Sequence, residues 1–287
     1  MESDGYRGIF ALGSGKLGKG SHKSLVWVFK GLSDEKNEGE GNMKIYSDEK
    51  GKKEISSEEE WFKLCPPKKK EKHWKSERSA KEMAKFWLDP SKREEFQNFI
   101  KKAMSAFDCD CIIPEYVSKF DDYRSPRNHD LYIAEKNNRT VITVEGKVDE
   151  PFGNNNFEEK LEEAKKTKDN NPNSKKLERL TNLDEKYFHK DSGILKIRYQ
   201  LLTWFAGAKS DAERANTDNF FMVLQEFKSD ATDDKKLQKN HGDFENFIEF
   251  ISEGKFKSIE AGQILEPIAN KYTGGKNLYI GYYSVNL

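Results

Sequence analysis

HDLYIAE (residues 129–135) and TVITVEGKV (residues 140–148) are the two stretches that decide the fold. β-Branched, aromatic and other apolar residues dominate both, and each has the length of an ordinary strand. Between them lies Asn137-Asn138, and asparagine is a typical turn residue. We therefore predict two neighbouring antiparallel strands joined by a short connection.

Side chains alternate along a strand, so the second stretch predicts which residues share a face. Glu145 and Lys147 are expected on one face, whereas Ile142 and Val144 are expected on the other, in the core. Asp130 lies near the start of the first strand and is expected close to Glu145 across the antiparallel pair.

The segments around this pair predict an α/β domain. A helix is predicted over 91–107 and a strand over 108–117, broken or bulged at Pro114; an amphipathic helix over 194–208 and a buried strand over 219–227 follow. The order is therefore helix, three strands, helix, strand, around a central mixed sheet. Further predicted segments are a capped helix from Ser57 to Pro66, a helix over 79–89, a loop at 229–243, a helix at 244–251 and a closing strand at 279–285.

The domain organisation is read from changes in polarity. Residues 1–42 are predicted to be an N-terminal extension with two short strands, and 43–287 a compact domain with a polar insertion at about 149–192. The stretch GSGKLGKGS in the extension has Walker A spacing, but Gly20 stands where that motif needs Ser or Thr. A flexible turn is the favoured interpretation.

Composition narrows the function classes. Lys plus Arg total 50 and Asp plus Glu total 50 among 287 residues, so the net charge is zero and a phosphate-binding surface requires local segregation of charge. No apolar run approaches the ~18 residues of a membrane span, and the start of the chain lacks the features of a secretory signal. Three cysteines suit a reducing compartment, so a cytoplasmic location without membrane association is predicted, and Cys109 and Cys111 are expected to be thiols in a strand core.

The strand pair also carries the candidate chemistry. Asp130 and Glu145, together with the backbone carbonyl of Gly146, would offer the hard oxygen ligands that Mg²⁺ prefers. Lys147 could hold an attacking water and stabilise charge on a phosphate in the transition state. Glu115 is a candidate third carboxylate.

Asp130 followed by Glu145-x-Lys147 resembles the motif of the PD-(D/E)XK nuclease superfamily, whose core is a helix, three strands, a helix and a strand. The proline in the motif's name is absent, since His129 precedes Asp130. SPRNHD (125–130), VEGKVDEPFG (144–153), RYQLL (198–202) and LYIGYY (278–283) are similar to a family of uncharacterised bacterial proteins in the nuclease-like group. This similarity runs from about Met43 to the C-terminus.

The resemblance implies a restriction endonuclease-like fold and a metal-dependent nuclease, a Mg²⁺-dependent endodeoxyribonuclease for which Mn²⁺ can substitute. It implies Asp130, Glu145 and Lys147 as catalytic residues, with Asp130, Glu145 and Gly146 holding the metal. Gln200 and Trp204 form a Q-x-x-x-W on the helix after the motif, close to the Q-x-x-x-Y of several members, so Gln200 is a further site candidate. DNA is the usual substrate, and restriction or phage defence are candidate roles.

Candidate nucleic-acid contacts come from basic residues outside the motif: Lys69, Lys70 and Lys72 in the basic stretch 68–78, Arg198 as a bidentate phosphate donor, and His129 beside Asp130. A homodimer would suit cleavage of both strands of a duplex. The alternative function is a non-catalytic module of the same fold that binds nucleic acid or protein.

Overall fold

The computed structural model describes residues 43–287 except 69, 125, 137, 138 and 231. The extension 1–42 with its predicted strands and glycine-rich turn, the candidate Lys69 and the turn at Asn137-Asn138 lie outside the described residues. Within the described ranges, no helix combines the length and apolar character that crossing a membrane requires.

The described chain forms an α/β fold around a mixed sheet of seven strands in the order β1-β2-β3-β4-β5-β7-β6. The strands are β1 Lys44–Ile45, β2 Cys109–Ser118, β3 Arg127–Glu135, β4 Thr140–Lys147, β5 Asn219–Lys228, β6 Gln263–Ile264 and β7 Asn277–Asn286. β2, β3 and β4 are antiparallel neighbours, and β5 runs parallel to both β4 and β7. The predicted strand pair thus lies near the centre of the sheet.

Helices cover both faces of this sheet. They are α1 Glu58–Leu64, α2 Ser79–Leu88, α3 Pro90–Lys101, α4 Phe157–Asn170, α5 Lys176–Leu183, α6 Tyr199–Arg214 and α7 Asp234–Ile251. α1 to α3 contribute one core, which includes Trp87 and Phe96, and α4 to α7 contribute the other, which includes Trp204 and Phe205. The predicted order of helix, three strands, helix and strand appears as α3, β2, β3, β4, α6 and β5, with α4 and α5 in the polar insertion.

Side-chain caps fix where several helices begin. The Ser57 hydroxyl accepts from the backbone N–H of Glu60 at α1, and Asp89 accepts from that of Ser91 at α3. At α4, Asn156 and Glu159 form a reciprocal capping box. Each cap satisfies backbone donors that the helix itself leaves without a partner.

Three predicted boundaries are wrong. The helix predicted over 91–107 ends at Lys101, and Phe107 reaches the core from a turn. The helix predicted from 194 begins at Tyr199, because Ser192–Lys196 forms a 3-10 turn capped by Asp191. The segment 229–243, predicted as a loop, contains the first half of α7.

Candidate active site

The candidate site lies where β3 and β4 separate. Their ladder runs from Ala134 and Val141 to Leu131 and Val144. Beyond this point β3 continues in register with β2 as far as Arg127, and β4 continues with β5 as far as Lys147. We call this opening the fork; Asp130 and Glu145 are the first residues beyond the last paired positions.

Glu145 is the centre of the polar contacts in the fork. Its side chain is 2% exposed, and Oε1 accepts from Lys147 Nζ at 2.8 Å and from Gln200 Nε2. Oε2 accepts from Arg127 Nη2. Burial raises the pKa of this carboxyl, but the charges of Arg127 and Lys147 outweigh burial and hold the pKa below its usual value. Glu145 is therefore ionised at neutral pH.

Lys147 is a buried cation on the same face of β4. Burial lowers its pKa, but the carboxylates of Glu145 and Asp130 outweigh burial and raise the pKa above the usual lysine value. Its Nζ lies 5.1 Å from the centroid of the Phe152 ring. In this state Lys147 can stabilise negative charge, but it has no free electron pair with which to accept a proton.

Asp130 faces Glu145, but its negative charge is less well compensated by neighbouring cations and hydrogen-bond donors than that of Glu145. Its Oδ2 accepts from the backbone N–H of Gly146 at 2.8 Å, which ties β3 to β4 across the fork. Burial and the charge of Glu145 raise the pKa of Asp130 to about 7. Asp130 is therefore less readily ionised than an exposed aspartate, and Glu145 is the more stable anion of the two.

Gly146 leaves no room for a side chain at this place. A Cβ there would lie 2.8 Å from Met83 Cγ, on α2, and 3.6 Å from Asp130 Oδ2. The absence of a side chain lets α2 pack directly against β4 and keeps the Gly146 backbone beside the Asp130 carboxylate.

Glu115 adds a third carboxylate from β2. It lies between Pro114 and Tyr116, which pair with Leu131 and His129, and its φ of 48° is unusual for a residue with a side chain. Burial and the charge of Asp130 raise the pKa of Glu115 to about 8, and Asn128 donates to it. The break predicted at Pro114 is wrong: β2 runs through Pro114 and Glu115 in one register, and its register shift lies between Cys109 and Cys111.

The position of the His129 ring differs from the predicted one. Alternation would place it on the same face as Leu131 and Ile133, but its fully buried ring lies against α6, with Nε2 3.1 Å from Asp211 Oδ2. The irregular backbone at Glu115, next to its partner Tyr116, accompanies this break in alternation. The predicted role of His129 as a phosphate contact is therefore wrong: the ring is enclosed by protein.

Gln200 contacts Glu145 in the fork, whereas Trp204 and Arg198, the residue before α6, do not. Trp204 of the Q-x-x-x-W pattern donates to Thr143 Oγ1 at 3.0 Å, one pleat away from Glu145. Arg198 donates through Nε to Asp243 at 2.8 Å and through Nη1 to the carbonyl of Asn154 at 3.3 Å. The bidentate phosphate contact predicted for Arg198 would require it to leave this carboxylate.

The other predicted basic contacts lie at the surface. Lys70 and Lys72 are exposed on a 3-10 turn, Lys70–Lys72. A cleft of about 270 Å³ opens where β4 and β5 end and α2 begins, lined by Lys75, Arg78, Val148, Asp149, Ser229 and Thr232 among others. It starts one residue after Lys147, and its lining also includes Glu77, so two basic and two acidic residues border it.

Sequence reasoning missed Arg127. The first strand was predicted to start at residue 129, which left Arg127 in the preceding loop. Two features of the sequence could have found it: Arg127 lies three residues before Asp130, and a buried Glu145 needs a countercharge beyond Lys147. The structure extends β3 back to Arg127 and turns the guanidinium into the fork.

A divalent cation fits this donor set. Asp130 and Glu145 provide carboxylate oxygens from two strands, and the Gly146 peptide between Glu145 and Lys147 provides a carbonyl. Mg²⁺ is usually held by one or two carboxylates and several waters. Across the described part of the chain, no group of three or more His, Cys, Asp or Glu side chains is placed to hold a metal ion, so this site would depend on two side chains and the backbone.

Comparison with known proteins places the chain in a family. Neither a curated protein nor a solved structure matches it. The model of one family matches residues 54–287, a range that includes Glu115, Arg127, Asp130, Glu145 and Gln200. The chain belongs to this family, which is described as a domain of unknown function (DUF6946).

Proposed function

We propose that the protein is a metal-dependent nuclease that hydrolyses phosphodiester bonds, with DNA as the substrate class. The observation that carries this proposal is the fork. Two carboxylates on diverging strands, Asp130 and Glu145, meet a buried lysine cation and a glutamine amide, both bound to Glu145. This arrangement agrees with the resemblance to PD-(D/E)XK nucleases, which itself stays a prediction.

The residues of the fork divide the work. Asp130, Glu145 and the Gly146 carbonyl would hold Mg²⁺ or Mn²⁺, and the ion would supply Lewis acidity and lower the pKa of a bound water. Lys147, protonated and buried, provides fixed positive charge for the oxyanion that develops on the phosphate. Gln200 holds the Glu145 carboxylate in one orientation.

The substrate backbone would enter from the cleft at the end of β4. Lys75 and Arg78 line this cleft together with Glu77 and Asp149, so the additional positive charge would come from the exposed Lys70 and Lys72 of the same basic stretch. A chain of zero net charge can bind phosphates only through such local clusters, so binding should be weak and strongly dependent on salt.

A non-catalytic binding module is the second candidate, and one observation favours it. Both oxygens of Glu145 are satisfied by protein donors, so the buried charge is stable with no metal bound. Such a module would bind nucleic acid or protein through its basic surface and would not require a divalent cation.

The three cysteines, Cys65, Cys109 and Cys111, are buried free thiols, which is the state maintained in a reducing compartment. We therefore include a cytoplasmic location in the proposal. A homodimer and a role in restriction or phage defence remain predictions that depend on the substrate.

Cleavage assays test the proposal. Plasmid, linear duplex, single-stranded DNA and RNA are incubated with Mg²⁺ or Mn²⁺ and with chelator. Wild type should cut at least one DNA substrate, whereas Asp130→Asn and Lys147→Ala should lose about 100-fold or more of the rate, the scale of losing one charge-stabilising group. Glu163→Gln, which removes an exposed carboxylate on α4, is the matched control and should cut like wild type.

Two results would contradict the nuclease. Cleavage that survives both Asp130→Asn and Lys147→Ala would place the chemistry elsewhere. No cleavage with any metal, together with nucleic-acid binding that persists in chelator, would support the binding module instead.

A further inference from the structure

The two oxygens of Glu145 face different parts of the molecule. Oε1 is held from its own strand by Lys147 and from α6 by Gln200. Oε2 is held from β3, across the fork, by Arg127. Asp130 lies on β3 as well, so Arg127 contacts the Glu145 oxygen that faces the strand carrying the other carboxylate.

Arg127 is poorly satisfied for a buried cation. Its side chain is 14% exposed, and Nε is a buried donor that has no hydrogen-bond partner among the described residues. A buried donor without a partner costs free energy, so this conformation leaves part of the guanidinium available for an additional acceptor.

A metal ion bound between Asp130 and Glu145 would compete with Arg127 for the same oxygen. Two cations close to one carboxylate oxygen repel each other strongly where water is excluded. Lys147 and Gln200 hold the opposite oxygen, so they do not compete with the metal for the same ligand atom.

We propose that Arg127 is a phosphate ligand held in reserve: it neutralises Glu145 while the metal is absent, and it is released to bind a phosphate anion when a divalent cation takes Glu145 Oε2. This inference rests on the proposed function. The planar guanidinium suits phosphate, because two of its N–H groups can donate in parallel to two phosphate oxygens. Metal and phosphate therefore bind cooperatively, and phosphate alone finds Arg127 occupied.

Binding measurements on the full chain test this exchange. Free Mn²⁺ is titrated by electron paramagnetic resonance, and Mg²⁺-dependent binding of inorganic phosphate is measured by calorimetry. Arg127→Gln should bind Mn²⁺ at least about tenfold more tightly than wild type, because the competing charge is gone. The same variant should lose the phosphate binding that wild type shows only with Mg²⁺.

Two variants control the experiment. Arg139→Gln breaks a similar pair with Glu135, at the opposite end of β3, and should leave both affinities unchanged. Arg127→Lys keeps the competing charge but loses the planar guanidinium and its paired N–H donors. It should bind Mn²⁺ like wild type and phosphate more weakly, and it carries the test if Arg127→Gln fails to fold.

The outcomes separate this inference from the proposed function. If wild type binds Mn²⁺ as tightly as a folded Arg127→Gln, or more tightly, the exchange is wrong and the nuclease proposal stands. The same conclusion follows if Arg127→Lys and Arg127→Gln both retain phosphate binding. Failure of wild type and Arg127→Gln alike to bind Mn²⁺ overturns both, since the metal site itself would be absent.

Discussion

Single carboxyl groups in the fork carry an energetic cost that the rest of the fold offsets. Asp130 and Glu115 are both ionised less readily than free carboxyls. Burial and the charge of Glu145 raise the pKa of Asp130 to about 7, and burial and the charge of Asp130 raise that of Glu115 to about 8. A group whose folded pKa is raised makes the folded state less stable as pH increases past its unfolded pKa. Strain of this kind is typical of functional sites, where stability is given up for charge placement.

Asp130→Asn should therefore stabilise the metal-free protein at alkaline pH. Asparagine retains an oxygen for the Gly146 N–H and removes the buried charge. At pH 8 the free energy of unfolding should rise by on the order of 2 kcal/mol. The gain should grow as pH rises from about 4 through 7, the folded pKa of Asp130, and should shrink as pH falls toward 4.

Urea denaturation of wild type and Asp130→Asn in chelator, at several pH values, measures this difference. Glu163→Gln on α4 is the control, since the carboxylate that it removes is exposed to solvent. A variant less stable than wild type at pH 8 would contradict the raised pKa of Asp130.

At the scale of helices and strands, α6 packs so closely against the sheet that one of its positions excludes a side chain. A Cβ on Gly207 would lie 2.9 Å from the His129 ring and 3.1 Å from Ser118 Oγ. Gly242 on α7 has the same helical setting but open space around it. The two glycines form a natural pair for separating helix propensity from packing.

Gly207→Ala should destabilise the protein by about 1–3 kcal/mol, because the added methyl group displaces a buried ring. Gly242→Ala should stabilise it by about 0.5–1 kcal/mol, the gain of alanine over glycine within a helix. Thermal unfolding followed by circular dichroism measures both. Equal shifts of the two melting temperatures in one direction would refute the close approach of α6 to β3.

Periodicity in the sequence predicts elements well where one face is apolar. The strands at β3, β4 and β5 and the helices α1 and α2 were predicted to within a few residues. The cap predicted at Ser79 was wrong, because Ser79 is the first residue of α2 and the residue before it, Arg78, makes no side-chain cap bond. The first half of α7 was missed because it is almost entirely polar, although Asp233 accepts from the backbone N–H of Lys235 and marks the start of the helix. A solvated helical turn has no apolar stripe to reveal it.

The contacts of the site were predictable only in part. Glu145 and Lys147 share a face because alternation is local, and Gln200 followed from a resemblance. The position of His129 was not predictable, because it depends on a positive φ at Glu115, a residue on another strand. The same holds for Arg127, whose direction is set by the separation of β3 from β4.

For the molecule as a whole, one sheet is shared by two cores. Phe99 on α3 and Phe205 on α6 are buried on opposite faces, and each packs against residues of the central strands or of β7. Because the five long strands, β2 to β5 and β7, contribute to both cores, loss of packing on either face should weaken a single cooperative unit.

Phe99→Ala and Phe205→Ala should each destabilise the protein by about 3–5 kcal/mol while unfolding stays in one transition. Guanidinium denaturation followed by both far-ultraviolet circular dichroism and tryptophan fluorescence measures this. The two signals should coincide in both variants, and separate midpoints would indicate that the two layers unfold independently.

The fork also has a mechanical consequence. Beyond Leu131 and Val144, β3 and β4 are joined by side-chain links, the Arg127–Glu145 pair and the Asp130 bond to the Gly146 amide, and not by a continued strand ladder. The width of this gap is thus adjustable. A bound ion of different radius could widen or narrow it by rotating side chains, without breaking a backbone hydrogen bond between the strands. The paired part of the sheet stays fixed, and the charge that lies between the ends of β3 and β4 determines how far apart these ends lie.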